Sequence, residues 1–202
     1  MNMRISILDA ARELFITRGM DAVTMREIGR RVGLSATAIY SHFKDKQTLM
    51  RELCNSDYLI FTNELKKIDH RIVPMERLRL MGLGYVQFAA EHPNHYQLMF
   101  MTPQLKKDPY NSIIPTITTE HDAYGYLKST VEEAWAFGHF RDELDDPDLI
   151  AQTLWAGLHG ICAFEIVKKN VPSKDWRSPK DRSNLMHNAL MSGLQKHPGH
   201  FQ

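Results

Sequence analysis

Cysteine is scarce in this chain. Its 202 residues include two, Cys54 and Cys162, far apart in sequence. No disulfide framework and no CxxC motif can form from that pair, and a reducing compartment, the cytoplasm, is expected. Long apolar runs are also missing. No stretch of about 18 consecutive apolar residues occurs, so no membrane-spanning helix is expected. The N-terminus enters an amphipathic pattern directly, without the apolar segment and cleavage site of a secretory signal. Strand-like alternation, internal repeats and low-complexity tracts are absent. The chain has ten histidines, but none stands in HxxxH or HExxH spacing or in a Cys/His cluster. There is no GxSxG, P-loop or GxGxxG. No metal, no cofactor and no enzymatic chemistry are expected.

Charge of one sign is lacking overall, since the formal net charge is +1. Its distribution is uneven. Residues 1–50 hold eight Lys/Arg against five Asp/Glu, and residues 51–202 hold 17 against 19. A modest basic excess at the N-terminal end suits phosphate contact, yet is equally ordinary for a solvated surface.

The most informative stretch is Thr24 to Lys46. Thr24-Met25-Arg26-Glu27 has the form of a capping box, in which Thr24 accepts from the third backbone N–H and Glu27 reaches back. Ile28 and Val32 follow at helical spacing. Gly33 offers the left-handed conformation that ends a helix. Leu34 fits the angle between two helices, and Ser35 is a strong N-cap for a second short helix, Ala36 to His42. Two helices joined by a tight Gly-containing turn form the helix-turn-helix pattern, whose second helix lies in the DNA major groove.

The residues Thr24, Arg26, Ile28, Val32-Gly33-Leu34-Ser35, Ile39-Tyr40, His42-Phe43-Lys44 and Lys46 resemble, without a gap, the signature of the TetR family of bacterial regulators. The resemblance extends back through a preceding amphipathic helix. It implies a homodimer on double-stranded DNA at a palindromic operator. By resemblance Arg26, Ser35, Ala36, Thr37, Tyr40 and His42 face bases or phosphates, and Thr24 and Lys46 face phosphates. Ala36 departs from the polar residue or glycine that many members carry there.

The rest of the chain reads as helix throughout. A first helix over about Arg4–Arg18 buries Ile7, Leu8, Ala11, Leu14 and Phe15, and Gly19 ends it. A long helix from Lys46 or Gln47 to about Asp69 would link the N-terminal module to the remainder. Met75 to Glu91 is apolar nearly all round and expected to be buried. Asn94–Met101 is a short aromatic and Met-rich helix or turn. Pro103, Pro109 and Pro115 break the stretch 104–119, where a mobile loop is expected. Further helices follow from about Thr116 or Thr119 to Phe137, from Pro147 to about Lys168 and from Pro179 to about Lys196. The last two carry a cap residue followed by Pro. The expected fold is all-α with about nine helices: a DNA-binding module over 1–46 and a ligand-binding and dimerisation domain over 47–202.

Trp155-Ala-Gly-Leu-His159-Gly160, with His92-Pro93-x-x-Tyr96-x-Leu98-Met99-Phe100, resembles a subset of TetR C-terminal domains marked by a Trp-His-Gly sequence. That resemblance implies a small-molecule effector, apolar or amphipathic, whose binding releases DNA. Tyr85, Met99, Phe100, Tyr124, Trp155 and His159 are its candidate contacts, with Tyr126 nearby in sequence. Trp155 and His159 share a helix face at i, i+4. Each of these residues also suits an ordinary core. The last two helices are the family's usual dimer contact, where Gly157 and Gly160 would let backbones approach and Leu185, Met186, Ala189, Leu190 and Leu194 give an apolar face. Two other readings stay open: a transcriptional activator, and a helical ligand-binding or scaffolding protein with a vestigial helix-turn-helix.

Overall fold

Helix-forming patterns dominate the sequence, and helices are what form. The computed structural model describes residues 2–101, 123–168 and 176–196. Among them lie α1 (Met3–Arg18), α2 (Met25–Arg31), α3 (Ala36–His42), α4 (Lys46–Lys66), α5 (Pro74–Glu91), α6 (Pro93–Tyr96), a π-helical turn (Gln97–Met101), α7 (Ala123–Ala136), α8 (Pro147–Lys168) and α9 (Pro179–Leu194). No strand forms among the described residues. One isolated antiparallel bridge pairs Phe140 with Gln195. The expected loop at 104–119, the start of the helix ending near Phe137, and the tail at 197–199 lie outside the described residues.

The described residues form two compact units. The first comprises 2–60 and 92–101, and the second 61–91, 123–168 and 176–196. α4 belongs to the first through Ile60 and to the second from Phe61. The expected boundary at residue 46 separates the helix-turn-helix from the rest by role. The packing division falls instead inside α4 and returns 92–101 to the first unit.

The first unit is built around Ile7, Phe15, Ile28, Ile39, Phe43, Leu49, Leu53 and Leu98, each no more than 2% exposed. Ile7, Ala11 and Phe15 of α1 are buried as the periodicity requires, while Leu8 and Leu14 pack at the margin. Each large apolar side chain buried this way contributes about 1.5–3 kcal/mol of transfer free energy. Arg12 is buried among them. Its Nε and Nη2 donate to Oδ2 and Oδ1 of Asp57 on α4, at 3.1 and 2.6 Å. His95 Nδ1 of α6 lies 3.0 Å from the same Asp57 Oδ1. Burying two charges is tolerated because each receives an opposite partner with good geometry.

The second unit packs α5 against α7, α8 and α9, and α8 against α7 and α9. Leu78, Met81, Tyr85, Phe88 and Ala89 of α5 are buried. Leu80, Leu83 and Val86 are only partly so, because one helix cannot bury its whole circumference in a layer this thin. Arg77 is 4% exposed. It donates to the His70 carbonyl at 3.0 Å and pairs with Glu133 of α7. Gly157 of α8 is where α9 comes closest. A Cβ there would stand 2.8 Å from Leu190 Cδ1 and 3.0 Å from Met186 Sδ. Gly157 therefore serves the packing of α8 on α9 within the chain. Gly160 meets nothing within 4 Å.

Candidate functional site

The helix-turn-helix forms as its caps dictate. Thr24 Oγ1 accepts from the Glu27 N–H at 3.3 Å, and the Glu27 carboxylate accepts from the Thr24 N–H at 2.9 Å, so the capping box is complete. That bond, with help from Arg18, holds Glu27 well below the usual carboxylate range, at about 2. Gly33 has φ of +75°, a region that a side chain at Cβ would disfavour. The Leu34 N–H returns to the Gly29 carbonyl at 2.8 Å. A Cβ at Gly29 would sit 3.4 Å from Ile39 Cβ, so α2 and α3 touch there. Ser35 caps α3 by accepting from the Ala38 N–H at 3.1 Å.

These constraints give α3 two faces. Ile39 is fully buried, and Phe43, just past the helix, is 1% exposed. Ala36, Thr37 and Tyr40 are exposed, Tyr40 by 54%. Arg26 is exposed at the start of α2, and Thr24 and Ser35 are exposed while serving as caps. His42 is half-buried at the end of α3, and its carbonyl accepts from Arg4. Lys46, which the resemblance put at a phosphate-facing position, is half-buried at the start of α4. Its ammonium donates to the Val23 carbonyl at 2.8 Å and also to the Met20 carbonyl, so it ties the α1–α2 connection to the start of α4.

Sequence reasoning missed Arg4. It pairs with Glu52 of α4, stands 4.3 Å over the Phe43 ring and holds the end of α3. Nothing in its local pattern distinguishes it from any charged residue in a first helical turn.

The second unit contains a small apolar pocket that is partly open to solvent. Phe61, Leu78, Met81, Leu127 and Leu154 form much of its wall, and Tyr85, Trp155 and His187 also reach it. Tyr85 packs edge-on to Trp155, with ring centres 5.2 Å apart, and its hydroxyl lies 3.4 Å from His159 Nδ1. Tyr124 meets the other side of this group, its ring 5.8 Å from Trp155. Burial pushes the His159 imidazole below its ordinary value, so it resists protonation near neutral pH. Of the candidate contacts, Tyr85 and Trp155 line the cavity, while Tyr124 and His159 touch those two residues without lining it. Met99 and Phe100 fall in the first unit, where Phe100 packs on Tyr58 and Tyr96. The π-helical turn that carries them was not legible in a Met-rich octet. His187 is not singled out by the sequence, because the apolar residues of α9 read as a dimer contact and a lone histidine among them carries no motif.

A three-helix head whose third helix buries one side and offers Thr37 and Tyr40 on the other is the form of a DNA-reading module. With the caps and burial that fix α3, it defines a helix-turn-helix regulator. Residues 7–53 match the tetR family of bacterial regulatory proteins, and residues 78–182 match the tetracyclin repressor-like C-terminal domain. The chain belongs to the TetR family and is a DNA-binding transcriptional regulator.

The relatives agree. The transcriptional repressor KstR2 of Mycolicibacterium smegmatis is 28% identical over 147 residues, covering 70% of this chain and 69% of its own. The solved structure of the ketosteroid regulator KstR2 of Mycobacterium tuberculosis superposes with a TM-score of 0.71 at 17% identity, covering 98% of this chain and 97% of its own. SmeT, a repressor of a multidrug efflux pump of Stenotrophomonas maltophilia, superposes in its triclosan complex with a TM-score of 0.74 at 23% identity, covering 100% and 98%. The family and these relatives are DNA-binding regulators rather than enzymes.

Proposed function

We propose that the protein is a homodimeric repressor that binds a palindromic operator through α3 and leaves it when a small apolar or amphipathic molecule fills the cavity of the second unit. One observation carries the DNA half of this reading. α3 exposes Ala36, Thr37 and Tyr40 while Ile39 on the same helix is fully buried. The exposed residues are therefore spare for contact. The Thr37 hydroxyl and methyl suit a base edge, and the Tyr40 hydroxyl suits a phosphate. Arg26 adds an exposed cation beside them. Thr24 and Ser35 contribute as caps that fix the helix N-termini facing phosphate. Lys46, committed to the Met20 and Val23 carbonyls, positions the module and does not have to touch DNA. Such a protein works in the cytoplasm.

Dimerisation is supported by an uncovered apolar stripe. On α8, Leu149 is 58% and Val167 66% exposed, and Ala156, Gly160 and Phe164 lie between them on the same side. On α9, Leu185 is 73% exposed. α8 is long and apolar, and most of it is left unburied by its own chain. A second copy of the same helices would cover it. A two-fold dimer also explains how a seven-residue reading helix gains affinity and register.

The test uses the duplex that the protein selects from fragmented genomic DNA. Thr37→Ala is expected to weaken binding to that duplex by about 1–3 kcal/mol and to relax preference at one base pair. Arg26→Ala should weaken all sequences alike and lower the log–log salt slope by about 1. Unchanged binding and slope in both variants, with intact helical content, would remove α3 from the interface.

A further inference from the structure

One polar side chain in the cavity wall is left without a partner. His187, on the inward side of α9 between Ser183 and Met191, is 5% exposed. Neither Nδ1 nor Nε2 finds a hydrogen-bond partner among the described residues. The ring reaches this position because residue 82 of α5 is glycine. A Cβ there would stand 3.0 Å from both Cε1 and Nδ1 of the imidazole. Leu158 of α8 closes the other side of the contact. The nearest charges are Glu76 and Arg79 of α5, which are spent on each other at 2.7 Å. A leucine or phenylalanine at 187 would fill the same space without a desolvation penalty. An imidazole with two unsatisfied nitrogens at the wall of an otherwise apolar cavity is instead what recognises a polar group on an apolar ligand.

We infer that His187 hydrogen-bonds the polar head of the effector, and that this head is an uncharged hydroxyl, of the phenol or alcohol kind, on a largely apolar molecule seated in the cavity. The inference rests on the reading that this cavity receives the effector. Burial holds the His187 imidazole below its ordinary value, with a smaller push from Arg79, so the ring is neutral near pH 7. A neutral imidazole has one donor and one acceptor. A hydroxyl can answer either one, whereas a carboxylate could use only the donor and would draw a proton onto a buried ring. The placement also gives the contact a consequence. Leu185, two residues away on the opposite side of α9, belongs to the stripe proposed for dimerisation. A ligand held by His187 therefore acts on the same helix that a partner copy would grip.

The experiment titrates the full-length protein calorimetrically with 2-naphthol and with naphthalene, two ring systems of one shape that differ by the hydroxyl. An apolar cavity without a polar handle prefers naphthalene, because the hydroxyl gives up water on entry. The expected result is the reverse, with 2-naphthol at least tenfold tighter and the His187 ring nitrogens shifting in 15N NMR only with 2-naphthol. His187→Phe should keep naphthalene affinity within about threefold and lose the preference, while His187→Gln, which keeps a donor and an acceptor, should retain part of it. If both probes bind but the wild type shows no preference, or His187→Phe keeps it, His187 is not the recognition group and the cavity reading survives. If neither probe binds the wild-type protein, the cavity reading fails together with the inference.

Discussion

Asp57 joins two basic side chains of the first unit, Arg12 and His95. It accepts two hydrogen bonds from Arg12, lies 3.0 Å from His95 Nδ1 and is fully buried. Asp57→Ala leaves the buried Arg12 guanidinium with the exposed Asp9 carboxylate as its remaining acidic partner, at 2.7 Å. It should cost about 3–5 kcal/mol in urea unfolding, whereas the double change Arg12→Met with Asp57→Leu should recover most of that loss. In the sequence, Asp57 occupies a position on α4 where the helical period calls for an apolar residue. That misfit was visible; its partners were not, because Arg12 and His95 are far away in the chain. His187 carries a pH prediction. Its pKa is lowered from 6.5 in the folded state, mainly by burial. The unfolded chain therefore takes up the proton first. Stability from this group is complete above about pH 6.5 and falls as pH drops below that value. The thermal midpoint should fall less steeply between about pH 7 and 5 in His187→Phe than in the wild type, with His159 supplying part of the remaining slope.

Among the helices, local chemistry predicted what local chemistry controls. The capping box at Thr24, the Ser35 cap and the Ser178-Pro179 start all form, since each needs only neighbours within one turn. α4 stops at Lys66, short of the expected Asp69, where no cap residue forces a boundary. The partner of each helix face was harder to read. Gly157 and Gly160 both suited a close approach to a second copy. Only the packing shows that Gly157 meets Leu190 and Met186 of its own chain, whereas Gly160 faces open space. The two glycines should separate experimentally. Gly157→Ala pushes only on the ends of the Leu190 and Met186 side chains, which can turn aside, and should lower stability by no more than about 1 kcal/mol. Gly160→Arg should leave helical content and the unfolding midpoint of the isolated chain intact while shifting sedimentation toward monomer. A dimeric Gly160→Arg protein would move the interface elsewhere.

For the whole molecule, net charge was a poor guide and charge placement a better one. The +1 total conceals a head with eight basic residues against five acidic. The all-α class and the DNA-reading head were legible because helical periodicity and cap signals are written in short spans. The cavity was half legible. Tyr85 and Trp155 line it and Tyr124 and His159 only touch those two, whereas the placement of His187 depends on Gly82, a residue with no pattern of its own. The central claim is that a dimer reads one palindrome through α3 with affinity drawn largely from phosphates. The most direct measurement is binding of the purified protein to its best-selected genomic fragment across a salt titration, with the stoichiometry determined at each step. The account predicts two chains bound per palindrome and a linear fall of log affinity with log salt, at about 0.9 per phosphate neutralised. Weak, sequence-blind binding of single chains at every salt concentration would contradict it.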